Sequence, residues 1–181
     1  KEISYLISKK YTKISPVSLN IPSPKETKKT FQANAKLKAD FFSQFVNFPA
    51  ISDDSGLCIK ALNNQPGIYS ARLAKKKGSF SKAMKYILKK MRNKKNRSAV
   101  FVCSLCIKIP SKRAITVVGK LEGHISYKII GKKGFGYDPI FIPNGFNKTF
   151  SQMSMDEKNK ISHRAIAVEK LSNFLHSRVT K

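Results

Sequence analysis

The sequence predicts an α/β protein of one domain, and three observations lead there. Strand-like and helix-like patterns alternate along the chain. Its 181 residues suffice to bury roughly two thirds of the unfolded surface without a disulfide staple. No internal repeat or linker divides residues 1–181.

The elements follow in order. Glu2 to Ser8 has a short amphipathic pattern, Val17 to Ile21 reads as a strand, and the Pro-rich IPSPKET is a turn. Thr30 to Val46 places Phe31, Ala35, Phe42 and Phe45 near helical spacing, with Asn34 and Lys38 projecting together from a neighbouring face. Pro49 to Asp53 and Leu57 to Leu62 are expected as strand segments flanking a turn, which puts Asp53 and Asp54 at a strand end, and NNQPG supplies a second turn. Ser79 or Ser81 caps a helix bearing Met84, Ile87, Leu88 and Met91, followed by the basic run RNKKNR as a solvated loop. Ser98 to Ile109 and Ala114 to Ile125 form a long hairpin joined by PSKR, with Gly119 and Gly123 as candidate bulges. Ser154 to Glu157 is a capping box, and Ser162 caps a final helix carrying Ile166, Ala167, Leu171 and Phe174.

Composition narrows the class. Three cysteines are too few for a secreted disulfide framework, and Cys103 and Cys106 lie in a β-branched run where three residues span about 10 Å and the thiols point to opposite faces, so they neither pair nor share a metal. A reducing compartment follows. No run of about eighteen apolar residues and no uninterrupted apolar leader occurs, so neither a membrane span nor a signal peptide is expected, and the cytoplasm is the default. The chain opens on Lys1 rather than Met, from which further residues are expected before it. The formal charge is +26, but only six of the thirty-six basic residues are Arg and the lysines are scattered, so a solvated surface that attracts polyanions is expected rather than specific nucleic-acid recognition.

Short polar signatures carry the chemistry. Asp53 and Asp54 are adjacent in a chain with ten acidic residues, and with Ser55 they offer the hard oxygen donors that Mg²⁺ prefers; a carboxylate there also suits deprotonation of a water. In GFGYDPIF, Phe135, Gly136, Tyr137 and Asp138 bring aromatic faces, a pliant backbone and a carboxylate to one point, which suits a planar heterocycle, although Tyr137 alone equally suits a buried aromatic cluster. In ISHRA, His163 and Arg164 fall in the first turn of a helix, where the dipole disfavours cations, so their placement points to an anionic or carbonyl ligand; Lys158 lies close before them.

In order along the chain, KxTFxxNAxxKA (Lys28 to Ala39), PAISDDSGL, PGIYSARLA, GxLEGxI, GFGYDPIF, KTF and MDEKNKISHRA together make the sequence resemble the inosine triphosphate pyrophosphatase family, enzymes that hydrolyse non-standard purine nucleoside triphosphates such as ITP, dITP and XTP. The resemblance implies an inosine triphosphatase-like α/β fold with a mixed twisted sheet, an elongated two-lobed domain with a central cleft, and a homodimer. It implies Mg²⁺-dependent attack by water that yields a nucleoside monophosphate and pyrophosphate. By the same resemblance Asp54 is the general base or a metal-associated carboxylate, Glu26 a second metal ligand beside Asp53, and Lys38, Ser55 and Lys158 substrate contacts. Phe135, Gly136, Tyr137 and Asp138 match the base-binding phrase, and His163 with Arg164 the pair that selects a 6-oxo purine, since donors left facing an adenine 6-amino group would be unpaired. Two departures stand out. The family's opening strand and T/S-x-N-x-x-K triphosphate loop have no counterpart here, which leaves a fragment of a working enzyme, or an inactive remnant with a broken phosphate site, as alternative expectations. Lys25 stands where an acidic residue is frequent. A basic nucleic-acid-binding protein is the alternative from charge alone.

Overall fold

A computed structural model describes residues 3, 6, 7 and 12–179, with the side chains of 177–179 excepted. The amphipathic pattern expected at Glu2 to Ser8 lies largely outside the described residues.

Five strands, β1 (Ala50–Ile59), β2 (Gln65–Pro66), β3 (Ser98–Lys108), β4 (Ile115–Ile125) and β5 (Phe141–Pro143), form one sheet in the order β2-β1-β3-β4-β5. Both edge pairings are antiparallel: Cys58 faces Pro66 between β1 and β2, and Gly123 faces Pro143 between β4 and β5. The helices are α1 (Phe31–Val46), α2 (Ser70–Lys77), α3 (Phe80–Lys90), α4 (Met155–Ile161) and α5 (His163–Val179). The α/β class follows from this inventory.

Contacts group the chain into two compact units, one of residues 1–54, 103–119 and 164–181, the other of residues 55–102 and 120–163. In the first, β3 shows strand alternation: Cys103, Leu105 and Ile107 pack with Ala167 and Leu171 of α5, whereas Cys106 packs with Ala35 and Ala39 of α1. All three cysteines are free thiols, and the two in β3 serve different apolar clusters, as their spacing predicts. In the second unit, Leu57 and Ile59 of β1, Met84 and Ile87 of α3, and the rings of Phe101, Phe141 and Phe150 form the core.

Local sequence explains the helix starts. Thr30 caps α1 by accepting from the Ala33 N–H, Ser79 caps α3 through the Lys82 N–H, and Ser154 with Glu157 forms the expected capping box on α4. Three expectations are corrected. Val17 to Ile21 is not a strand: Pro16–Leu19 is a 3-10 turn, started by the Ser15 hydroxyl and the fixed φ of Pro16, with Val17 and Leu19 exposed. Pro49 to Leu62 is not two strands around an acidic turn; β1 runs unbroken through SDDSG and ends in a 3-10 turn at Lys60–Leu62. Gly56 is there for proximity, since a Cβ would stand 2.2 Å from the Gly67 carbonyl oxygen. RNKKNR is not wholly solvated. Arg97 at its end donates from Nε to the Ile125 carbonyl at 2.6 Å, from Nη2 to that of Ser126 at 2.6 Å and from Nη1 to that of Met91 at 3.2 Å.

Those three bonds clamp the end of α3 to the end of β4. Arg97→Ala is expected to destabilise the protein by about 2 to 4 kcal/mol in urea unfolding, less than the sum of three bonds from a charged donor at about 1.5 to 3 kcal/mol each, because Arg97 is only partly buried and water replaces part of what is lost. A loss below half a kcal/mol would show that the clamp is solvated in practice.

Candidate functional site

In the first unit the site starts from a strand rather than a turn. Side chains alternate along β1, so Asp53 and Asp54 point to opposite faces and their adjacency does not itself make a shared site. Asp54 is buried at 6 % exposure. Its Oδ2 accepts from Asn34 Nδ2 at 3.0 Å, and Asn34 Oδ1 in turn accepts from the Lys28 N–H at 2.9 Å, which fixes the amide's orientation. One turn along α1, Lys38 Nζ donates to Glu26 Oε1 at 2.5 Å and stands 4.0 Å from Asp54 Oδ1. Asp53, half-buried, lies 3.9 Å from Arg164 Nε.

Burial dominates the Asp54 carboxyl and raises its pKa from 3.8 to about 6, opposed by the Asn34 hydrogen bond and the Lys38 charge and assisted by Glu26 and Asp53. No three His, Cys, Asp or Glu side chains converge on one metal position among the described residues. Mg²⁺ asks less than that, because one or two carboxylates completed by water and phosphate oxygens are enough. Glu26 and Asp54 fit that description: both are hard oxygen donors, and the space beside them already takes a cation, the Lys38 ammonium.

In the second unit the GFGYDPIF segment is built round an ion pair. Lys158 Nζ donates to Asp138 Oδ2 at 2.6 Å with both residues almost fully buried, and the same oxygen accepts from the Phe135 N–H at 2.9 Å. Gly134 is required beside it: its φ is +74°, and a Cβ would stand 2.2 Å from that carboxylate oxygen. Gly136 also has positive φ. The consequence is that the Phe135 ring is held out, half exposed, with Lys158 Nζ 4.5 Å from its centroid. Tyr137 goes the other way. Its ring is buried edge-on to Phe80 at 5.3 Å, its hydroxyl donates to the Ser70 carbonyl at 2.9 Å, and burial pushes its pKa up to about 12. Of the four residues in this phrase Tyr137 is therefore core, and the aromatic surface on offer is Phe135.

His163 opens α5 and is also buried, its ring stacked on Phe101 at 4.8 Å and 10°. Ser55 is half-buried on β1, two residues before Leu57, whose N–H donates to Ser70 Oγ at 2.9 Å. The KTF motif has a local explanation: Thr149 Oγ1 donates to the Ile130 carbonyl, and the Thr149 N–H donates to Gln152 Oε1, both at 2.9 Å. Asn34 was visible in the sequence as a helical partner of Lys38, but its contact with Asp54 depends on packing between α1 and β1. Ser70 had only its place in PGIYSARLA to mark it. A depression of about 510 Å³ lined by Leu62, Tyr69, Leu73, Tyr86, Lys90 and Lys94 holds none of these side chains.

The chain as a whole is similar to known proteins. The family model of the Ham1 family matches residues 1–174. The chain belongs to the Ham1 family. It is 38 % identical over 174 residues to a dITP/XTP pyrophosphatase of Gluconobacter oxydans, covering 96 % of this chain and 84 % of the relative. It is 44 % identical over 154 residues to the dITP/XTP pyrophosphatase of Bacillus subtilis, covering 84 % and 78 %. Among solved Ham1 structures, that of Staphylococcus aureus superposes with a TM-score of 0.84 at 37 % identity over 90 % of this chain and 85 % of its own. That of Coxiella burnetii gives 0.86 at 34 % identity over 97 % and 92 %. Among the described residues no helix of this Ham1 chain is long and apolar enough to cross a membrane.

Two outcomes are expected. Asp54 has a folded-state pKa above its unfolded value, so between about pH 4 and pH 6 the folded state binds the extra proton and stability falls as pH rises. The loss levels off above pH 6 at about 3 kcal/mol, because each pH unit between the two values is worth about 1.36 kcal/mol. Asp54→Asn should remove that slope in urea titrations in metal-free buffer at pH 4.5 and 7.5; an unchanged slope would assign it to other groups. Asp138→Ala strands the Lys158 ammonium and should cost about 3 to 5 kcal/mol, while Asp138→Ala with Lys158→Met recovers most of it. A double variant as unstable as the single one would contradict the ion-pair account.

Proposed function

We propose that this Ham1 chain hydrolyses non-standard purine nucleoside triphosphates of the dITP, ITP and XTP type to the monophosphate and pyrophosphate, a house-cleaning activity on the nucleotide pool. The observation that carries it is the Asp54 arrangement. A buried carboxylate with a raised pKa, held by the Asn34 amide, suits a base that takes a proton from water, and Lys38 beside it suits the phosphate chain. The names of the Gluconobacter and Bacillus relatives supply the substrate class.

In the proposed reaction a water oxygen bonds to phosphorus, its proton passes to the Asp54 carboxylate, and the α–β phosphoanhydride bond breaks to release pyrophosphate. Mg²⁺ would be held by Glu26 and Asp54 and would neutralise charge on the triphosphate, while Asp53, expected from the sequence as a further ligand, points to the other face of β1 and lies beside Arg164 instead. Lys38 and Ser55 contact the phosphates. The exposed Phe135 ring stacks on the purine, held by the Asp138–Lys158 pair and the left-handed glycines at 134 and 136. His163 and Arg164 are read as the pair that favours a 6-oxo group, with Phe101 fixing the imidazole plane. The proposal includes a homodimer, as the family resemblance implies, and a cytoplasmic location.

Pyrophosphate release from dITP and dATP in the presence of Mg²⁺ tests the reading. Release is expected from dITP in preference to dATP, with Asp54→Asn lowering kcat by roughly 100-fold or more, the usual scale for a general base. Phe135→Ala should raise KM by roughly 5- to 150-fold, since stacking on a base is worth about 1 to 3 kcal/mol. Absence of release from dITP, or full activity in Asp54→Asn, would overturn the proposal.

A further inference from the structure

PGIYSARLA stands out in the sequence, yet none of its side chains enters the chemistry proposed above. The structure gives one of them unusual connections. Ser70, at the start of α2, is 5 % exposed. Its hydroxyl accepts from the Leu57 N–H at 2.9 Å and donates to the Gly67 carbonyl at 2.7 Å. Its own carbonyl accepts from the Tyr137 hydroxyl at 2.9 Å. The approach of β1 to this turn is so close that a Cβ on Gly56 would meet Ser70 Oγ at 2.7 Å as well as the Gly67 oxygen.

We propose that Ser70 is a positioning residue of the nucleotide site, fixing through its hydroxyl the β1 backbone just after Ser55 and through its carbonyl the Tyr137 end of the base-binding phrase. This rests on the nucleotide pyrophosphatase reading. One residue then sets the spacing between a phosphate-side contact and the Phe135 surface. Gly56, Gly67 and Ser70, three residues from two separate motifs, are explained together as the parts of one close backbone approach. The link to the base side is specific. Tyr137 is locked by Phe80 at its edge and by Ser70 at its hydroxyl, and Phe135 and Gly136 precede it directly in the chain.

The test compares kcat, KM and the preference for dITP over dATP in the wild type, Ser70→Ala, Tyr137→Phe and Met84→Ala, each well below its melting temperature. Met84→Ala is the control: it removes a buried core side chain of the same unit and breaks none of the hydrogen bonds of Ser70 or Tyr137. Ser70→Ala should raise KM for dITP by tenfold or more and erode the preference for dITP. Tyr137→Phe, which keeps the ring and loses only the hydroxyl, should erode the preference with a smaller effect on KM. Met84→Ala should lower the melting temperature and leave KM and preference unchanged. If Ser70→Ala behaves as Met84→Ala does, the residue is merely structural and the inference fails. Should Ser70→Ala not fold, unchanged preference in Tyr137→Phe overturns it equally well. A wild type that neither hydrolyses dITP nor is stabilised by it overturns the function reading itself, and this inference with it.

Discussion

The buried pair of Lys158 and Asp138 is the interaction on which the shape of the GFGYDPIF segment, and the exposure of Phe135, depends. Placing an ammonium and a carboxylate where both are almost fully excluded from water costs several kcal/mol per ion, and attraction between them offsets that only with good geometry and further hydrogen bonds. Both conditions hold here: the contact is 2.6 Å, and the Phe135 N–H supplies another donor to the same oxygen. What such a pair gives is a defined arrangement more than stability. The carboxylate dictates a glycine at 134, draws in the backbone at 135, and leaves the Phe135 ring with nowhere to go but outward. An apolar replacement of similar volume would pack, but it would not orient that backbone N–H.

Asp54 illustrates the opposite use of burial. Among the described residues it has no partner as close as Lys158 is to Asp138: one amide bond at 3.0 Å and an ammonium at 4.0 Å leave desolvation as the largest influence. Lys38 instead makes its short contact with Glu26. A carboxylate kept slightly short of compensation is costly to the fold and reactive toward protons, and natural proteins tolerate such groups where chemistry requires them.

Much of this was legible in the chain because the governing interactions are local. Thr30, Ser79 and the Ser154–Glu157 box announce helices whose starts fall where expected, since a cap and its N–H partner lie within one turn. The opposing faces of Cys103 and Cys106 follow from strand periodicity alone. The errors share a different cause. SDDSG has the composition of a turn, and only the Gly67 carbonyl, eleven residues further on, explains why its glycine serves a strand. Val17 to Ile21 has β-branched and apolar residues but pairs with no strand among the described residues, so Pro16 and Ser15 decide its shape. Arg97 reads as one more charge in a basic run until three carbonyls from the ends of α3 and β4 surround it. Tyr137 and Phe135 are indistinguishable by type, and the structure separates them into core and surface through Ser70 and Asp138.

The grouping of the chain bears on how it must fold. Neither compact unit is a continuous stretch of sequence; the chain leaves one and enters the other inside β1, β3 and β4 and again between His163 and Arg164. Each unit therefore closes only after segments far apart in the chain have met, and the entropy of those closures is lost before the contacts that reward them exist. The second unit has all its residues once His163 is made, whereas the first still lacks residues 164–181 at that point. Closure of the first unit has to wait for α5, whose Ala167 and Leu171 cover a strand synthesised some sixty residues earlier.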